Sequence, residues 1–134
     1  MNAIEYFQSN NCSQAVLMSL SHIAGLDINQ ARALGSGFGG GMKHKETCGA
    51  ITGACMAISH SVFISYEDAD DGKEIAGQAV EEFMNLFKDK FSHFRCIDLL
   101  NTDSEEEGRR ERVCEPLVEY ASQIAKEVIS KYKK

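Results

Sequence analysis

Cys48-Gly-Ala-Ile-Thr-Gly-Ala-Cys-Met-Ala-Ile-Ser-His-Ser-Val-Phe-Ile-Ser65 is the stretch that decides the fold. It carries no proline and no Asp, Glu, Lys or Arg, and Ile51, Ala54, Ile58 and Val62 recur at helical spacing. Such a segment reads as a helix buried in a core rather than lying on a surface. Thr47 can cap it, which would put Cys48 in its first turn. Gly49 and Gly53 stand four apart inside it. Each costs about 1 kcal/mol relative to Ala in a helix. A soluble helix accepts that cost where something packs against bare backbone. The partner is either another helix or a bound cofactor, and the sequence leaves both open.

Working outward, the same periodicity fills the chain. Asn11 and Gln14 form a capping box before the stripe Ala15, Val16, Leu20 and Ile23, which Gly25 can stop. Asp27 and Gln30 form another for a short helix through Leu34. After the acidic run at 67–72, Asp71 and Glu74 can cap a helix with Ile75, Ala79, Phe83, Phe87 and Phe91 on one face, a stripe that reads as core. Cys96-Ile97-Asp98-Leu99-Leu100 is a short helical run. Residues 102–108 are polar, acidic and expected to be mobile. The last helix starts near Pro116 and carries Leu117, Ala121, Ile124, Val128 and Ile129. Alternating apolar patterns are nearly absent. The expectation is an all-α, single compact domain over residues 1–134, with five or six helices and a Gly-rich loop before the central Cys48 helix.

Four of the five cysteines fall at helix starts. Cys12 follows Asn11, Cys48 follows Thr47, Cys96 opens its short run, and Cys114 lies just before Pro116. A helix N-terminus carries partial positive charge, which favours thiolate over thiol. Basic residues gather beside three of them: Lys43, His44 and Lys45 before Cys48, Arg95 beside Cys96, and Arg109, Arg110 and Arg112 before Cys114. Their charges are expected to lower the neighbouring thiol pKa values; the plainer alternative is that they are solvated loop charges. Cys55 lies seven residues after Cys48, about two turns away on the same face and too far for an unstrained disulfide. It reads as a small core hydrophobe. His44 and His93 lie close enough in sequence to ligate metal or tune a thiol, whereas His22 and His60 fall inside helices.

Gly35, Gly37 and Gly40 fit the spacing G-x-G-x-x-G, but a helix precedes them and Thr47 lies well beyond them, so a dinucleotide site is not expected. Gly39 and Gly40 instead suit close approach of backbone to something held near Cys48. A flexible connector is the plainer reading. The 134 residues carry 14 Lys and Arg against 20 Asp and Glu, a net charge of −6, which argues against nucleic acid. No apolar run reaches the ~18 residues of a membrane span. The first residues lack a signal-peptide pattern, so a cytoplasmic home is expected. There, cysteine clusters bind metal or cycle in redox reactions more often than they form standing disulfides.

Cys12 within Asn11-Cys-Ser-Gln-Ala-Val-Leu17, the loop Phe38-Gly-Gly-Gly-Met42, the motif Cys48-Gly-Ala-x-x-Gly53, and then Cys96 and Cys114 together resemble the C-GCAxxG-C-C family, small proteins described as redox-active. The resemblance runs from about residue 5 to 130. It implies that Cys12, Cys48, Cys96 and Cys114 form one set, with Gly39, Gly40, Gly49 and Gly53 beside whatever they hold. The family's cluster-bearing relatives, the split-Soret cytochromes, imply an iron–sulfur cluster bound by those four cysteines. Haem does not carry over, because the chain has no Cys-x-x-Cys-His.

Three readings therefore compete. The first is an electron carrier or redox sensor with an iron–sulfur cluster, for which four thiolates are a full ligand set. The second is a thiol–disulfide exchange protein with two cysteine pairs. The third is a non-catalytic helical interaction module with buried cysteines. A redox partner protein and a homodimeric state are the associations left open.

Overall fold

The computed structural model describes residues 1–134. It is all-α, with seven helices: α1 (Ala3–Phe7), α2 (Cys12–Ala24), α3 (Ile28–Gly35), α4 (Gly49–Ile64), α5 (Ala69–Phe91), α6 (Cys96–Leu100) and α7 (Glu115–Tyr132). Two five-residue turns, Gly41–Lys45 and Arg110–Cys114, precede α4 and α7. The central helix is α4, which packs on α2, α5 and α7. Its Ala50, Ile51, Ala54, Ala57, Ile58 and Val62 are all buried. Phe83 and Phe87 of α5 are fully buried against it, as the aromatic stripe predicted, and the Phe87 and Phe91 rings lie 4.9 Å apart at a 47° tilt. No helix is long and apolar enough to cross a membrane.

The caps explain most of the boundaries. Both capping boxes read from the sequence form: Asn11 with Gln14, and Asp27 with Gln30. Gly25 ends α2 in the left-handed conformation (φ 75°), the usual helix stop. Two caps differ from expectation. Cys48, not Thr47, is the N-cap of α4, because Thr47 is drawn into an isolated antiparallel bridge with Arg95 and stays extended. Likewise α5 starts at Ala69. Asp68 accepts from the amides of Asp70 and Asp71 at 2.9 and 3.0 Å, so Asp71 sits in the first turn, where its charge favours the helix dipole. Helix α1 was not expected. It forms because Asn2 and Glu5 make a third capping box. Residues 102–108 are irregular but pinned, with Arg112 holding Asp103 at 2.6 Å and donating to the Glu105 carbonyl at 3.0 Å.

The closest helix contact is that of α4 on the start of α2. A Cβ added at Gly53 would lie 2.5 Å from the Ser13 carbonyl oxygen, inside any real contact distance. Of the two partners left open on sequence, another helix is the one found at this glycine. Gly53→Ala should therefore destabilise the fold, because overpacking against fixed backbone costs ~1–3 kcal/mol and outweighs the ~1 kcal/mol gained in helix propensity. Gly77, also mid-helix, has nothing within 4 Å of its added Cβ. Gly77→Ala should stabilise by ~0.5–1 kcal/mol. Thermal melts of the two variants are expected to move in opposite directions.

Candidate thiol centre

Each of the four cysteines is delivered by a different piece of local structure. Cys12 is the first residue of α2, fixed by the Asn11 cap, whose side-chain oxygen accepts from the Gln14 amide at 2.8 Å. The amide end of Asn11 donates to the carbonyls of Gly35 and Ser36, each at 3.2 Å, which ties the end of α3 to the start of α2. Cys48 caps α4. Cys96 opens α6, and Cys114 closes the turn before α7. The bridge between Thr47 and Arg95 joins the second and third: the Cys48 amide donates to the Phe94 carbonyl and the Cys96 amide to the Glu46 carbonyl. An exposed Arg95–Glu46 ion pair at 3.1 Å flanks it.

Together Cys12, Cys48, Cys96 and Cys114 line one cavity of about 250 Å³. Phe7, Leu99, Leu117 and Val118 supply apolar wall, Lys43 and Arg110 its charge, and no carboxylate lines it. Gly39 and Gly40 of the loop also line it, so the loop folds over the start of α4. Gly49 lines it too, and a Cβ there would sit 2.3 Å from the Cys12 sulfur and 3.1 Å from the Phe38 carbonyl oxygen. Glycine at 49 is thus what lets the Cys12 sulfur approach Cys48. Gly53, grouped with these glycines on sequence, lies one turn on against Ser13 and does not line the cavity. Neither His44 nor His93 lines it, and both are exposed.

Cys55 stands apart. It faces an apolar groove between α4 and α5, with its thiol 4.0 Å from the Met84 sulfur. Phe7 was missed on sequence; its ring lies 3.6 Å beneath the Arg110 guanidinium while its carbonyl accepts from it. That pair closes one side of the cavity and depends on α1, the helix the periodicity missed.

All five cysteines are free thiols. The expectation of lowered pKa values is overturned for three of the four in the cavity. Burial pushes Cys48 up to about 12, with the nearby Cys12 adding to it, and the amides of Ala50 and Ile51 at the helix start offset only part of this. Burial likewise pushes Cys114 up to about 11, against the pull of Arg110 and Arg109. Cys96 is raised by burial and by Cys12, with Lys45 opposing. Desolvation in an apolar cavity, plus repulsion among clustered thiolates, outweighs helix ends and neighbouring cations. Left to themselves, these three sulfurs are protonated at neutral pH.

The donor set is nevertheless a fitting one for a soft metal group. Four sulfurs, no carboxylate and an apolar wall are what thiolate-held metal centres use. No three His, Cys, Asp or Glu side chains come close enough to hold a single metal ion, which would need its sulfurs within ~2.3 Å. What the four thiols share is the lining of one cavity. That space is smaller than the ~300–1,000 Å³ of pockets for drug-sized ligands.

The model of the family described as "Putative redox-active protein (C_GCAxxG_C_C)" matches residues 10–128. No curated protein and no solved structure matches the chain at a significant level.

Cys55 offers a clean test of the electrostatics outside the cavity. Burial alone pushes it to about 12 from an ordinary 9.0. Between those values the unfolded chain has lost the proton that the folded chain keeps, so stability is full below about pH 9 and falls as pH rises toward 12. Replacing the thiol removes this term. Urea titrations in reductant at pH 8 and pH 10 should show a smaller loss for Cys55→Val than for wild type, by up to ~1.4 kcal/mol per pH unit.

Proposed function

This chain belongs to the C-GCAxxG-C-C family, and on that premise we propose that Cys12, Cys48, Cys96 and Cys114 are its redox centre, holding an iron–sulfur cluster that passes electrons or senses oxidants. The observation that carries the reading is the convergence of four thiols, from four separate helix starts, on one carboxylate-free cavity. Such a cluster supplies one-electron chemistry at a potential set by its surroundings.

The chain's own residues supply the rest. The four thiols give up protons as they bind, so assembly should be favoured by rising pH. Phe7, Leu99, Leu117 and Val118 keep water from the sulfurs. Lys43 and Arg110 offset the negative charge of four thiolates, which burial would otherwise oppose. Gly49 keeps α4 clear of the Cys12 sulfur. The cytoplasm, where free thiols persist, is the compartment this chemistry suits.

A second reading is favoured by one specific feature. Cys12 acts electrostatically on each of Cys48, Cys96 and Cys114. It also lines the cavity with all three as free thiols, and a dithiol–disulfide cycle is what the same site would support without metal.

Anaerobic reconstitution with iron and sulfide separates the two. Wild type and Cys55→Ser are expected to bind iron and sulfide and to gain visible sulfur-to-iron absorption. Cys48→Ser should lose both while keeping a helical circular dichroism spectrum. If wild type binds no iron but its thiols form disulfides reversibly, the exchange reading replaces the cluster. If neither occurs, the redox reading fails.

A further inference from the structure

Resting on the reading of the four cysteines as the redox centre, we propose that the rim of their cavity, formed by Lys43 and Arg110 with Lys45 and Arg109 close to them in the chain, docks the acidic face of an electron-transfer partner protein. The chain as a whole has a net charge of −6, so its average charge would repel such a partner. The charge is not spread evenly. Lys43 and Arg110 line the cavity, and none of its lining residues is acidic. Lys45 acts on Cys96, and Arg110 and Arg109 act on Cys114.

These cations are also free of direct ion pairs, although Arg109 acts at longer range on Asp103. None of the four has a carboxylate within salt-bridge distance. The carboxylates of Glu46 and Asp103 are taken up by Arg95 and Arg112. Asp98, Glu111 and Glu115 lie on neighbouring elements but are not among the charges acting on Cys48, Cys96 or Cys114. Arg109 carries the one buried side-chain polar atom, Nε, that lacks a hydrogen-bond partner. Separation matters because fields from exposed charges fade over ~10 Å at 0.1 M salt. A chain of this length has a radius of gyration of roughly 14 Å. Glu105, Glu106 and Glu107 are exposed on the loop before Arg109 but do not line the cavity, so a partner arriving at the mouth meets Lys43 and Arg110 first.

The shape of the rim points to a protein rather than a small anion. Met42, Lys43, His44 and Lys45 are exposed at the tip of one turn. The turn is clamped by amide donation from Met42 to the Phe38 carbonyl at 3.3 Å and from Glu46 to the Gly41 carbonyl at 3.1 Å. Met42, Lys43 and Lys45 hold φ values of 57, 62 and 53°, a left-handed conformation that L side chains rarely adopt. The fold thus presents an apolar Met, 40% exposed, among cations at the mouth of the centre. Met and Arg are enriched where proteins meet, and rim charges set association rate and salt dependence.

Binding tests this without requiring any cluster or thiol oxidation, so docking and the redox reading can fail separately. A plant-type ferredoxin serves as the acidic carrier and cytochrome c as the basic one, each titrated onto the reduced full chain and followed by fluorescence anisotropy. The ferredoxin is expected to bind at low salt and to weaken as salt rises. Lys43→Glu with Lys45→Glu should reduce its affinity at least ~10-fold at low salt. Lys126→Glu with Lys133→Glu makes the same net-charge change elsewhere and should have much less effect. No ferredoxin binding, tighter cytochrome c binding, or equal loss in both double variants would overturn the proposal. So would perturbation of the rim by inorganic phosphate alone, which would make it a small-anion site.

Discussion

The structure depends on one close approach that only the bare backbone of two glycines allows. Helix α4 approaches the first turn of α2 so closely that a methyl group at Gly49 would collide with the Cys12 sulfur, and one at Gly53 with the Ser13 carbonyl. That contact sets the distance between the first two cysteines and anchors the central helix. Everything else at the site is arranged around it. The Thr47–Arg95 bridge hangs Cys96 beside Cys48, and the turn before α7 brings in Cys114. Close packing of this kind cannot adjust by small shifts, because neighbouring helices occupy the space on the other sides.

Two opposed electrostatic effects meet in the cavity. Helix starts, Lys45, Arg109 and Arg110 favour thiolate, whereas burial and the other sulfurs favour thiol. Burial wins at Cys48, Cys96 and Cys114. Thiolates are the readily oxidised form, so the raised values disfavour it at these three sulfurs. The cations their spacing singled out therefore oppose the shift without reversing it. In the proposed function they would lower the cost of an anionic, occupied site.

The fold was legible because its signals are local. Capping boxes at Asn11 and Asp27, the stop at Gly25 and the four-residue stripe from Ile75 to Phe91 each depend only on neighbours in sequence. The convergence of the cysteines was suggested by their shared place at helix starts and by family resemblance. What escaped detection was non-local or energetic. The Thr47–Arg95 bridge joins residues 48 positions apart by backbone alone, so it leaves no side-chain pattern, and it moved the α4 cap to Cys48. The role of Gly53 was ambiguous because a glycine in a helix does not say what approaches it. The sign of the thiol shifts was misread because sequence shows adjacent charge but not burial.

The central claim is that four thiols from four helix starts surround one group. Anomalous scattering at the iron edge from crystals of anaerobically reconstituted protein tests it most directly. The account predicts iron peaks inside the cavity, bounded by the sulfurs of Cys12, Cys48, Cys96 and Cys114 and away from Cys55. Iron bound elsewhere on the surface, or iron in the cavity held by fewer than these four sulfurs with the remainder turned away, would contradict it.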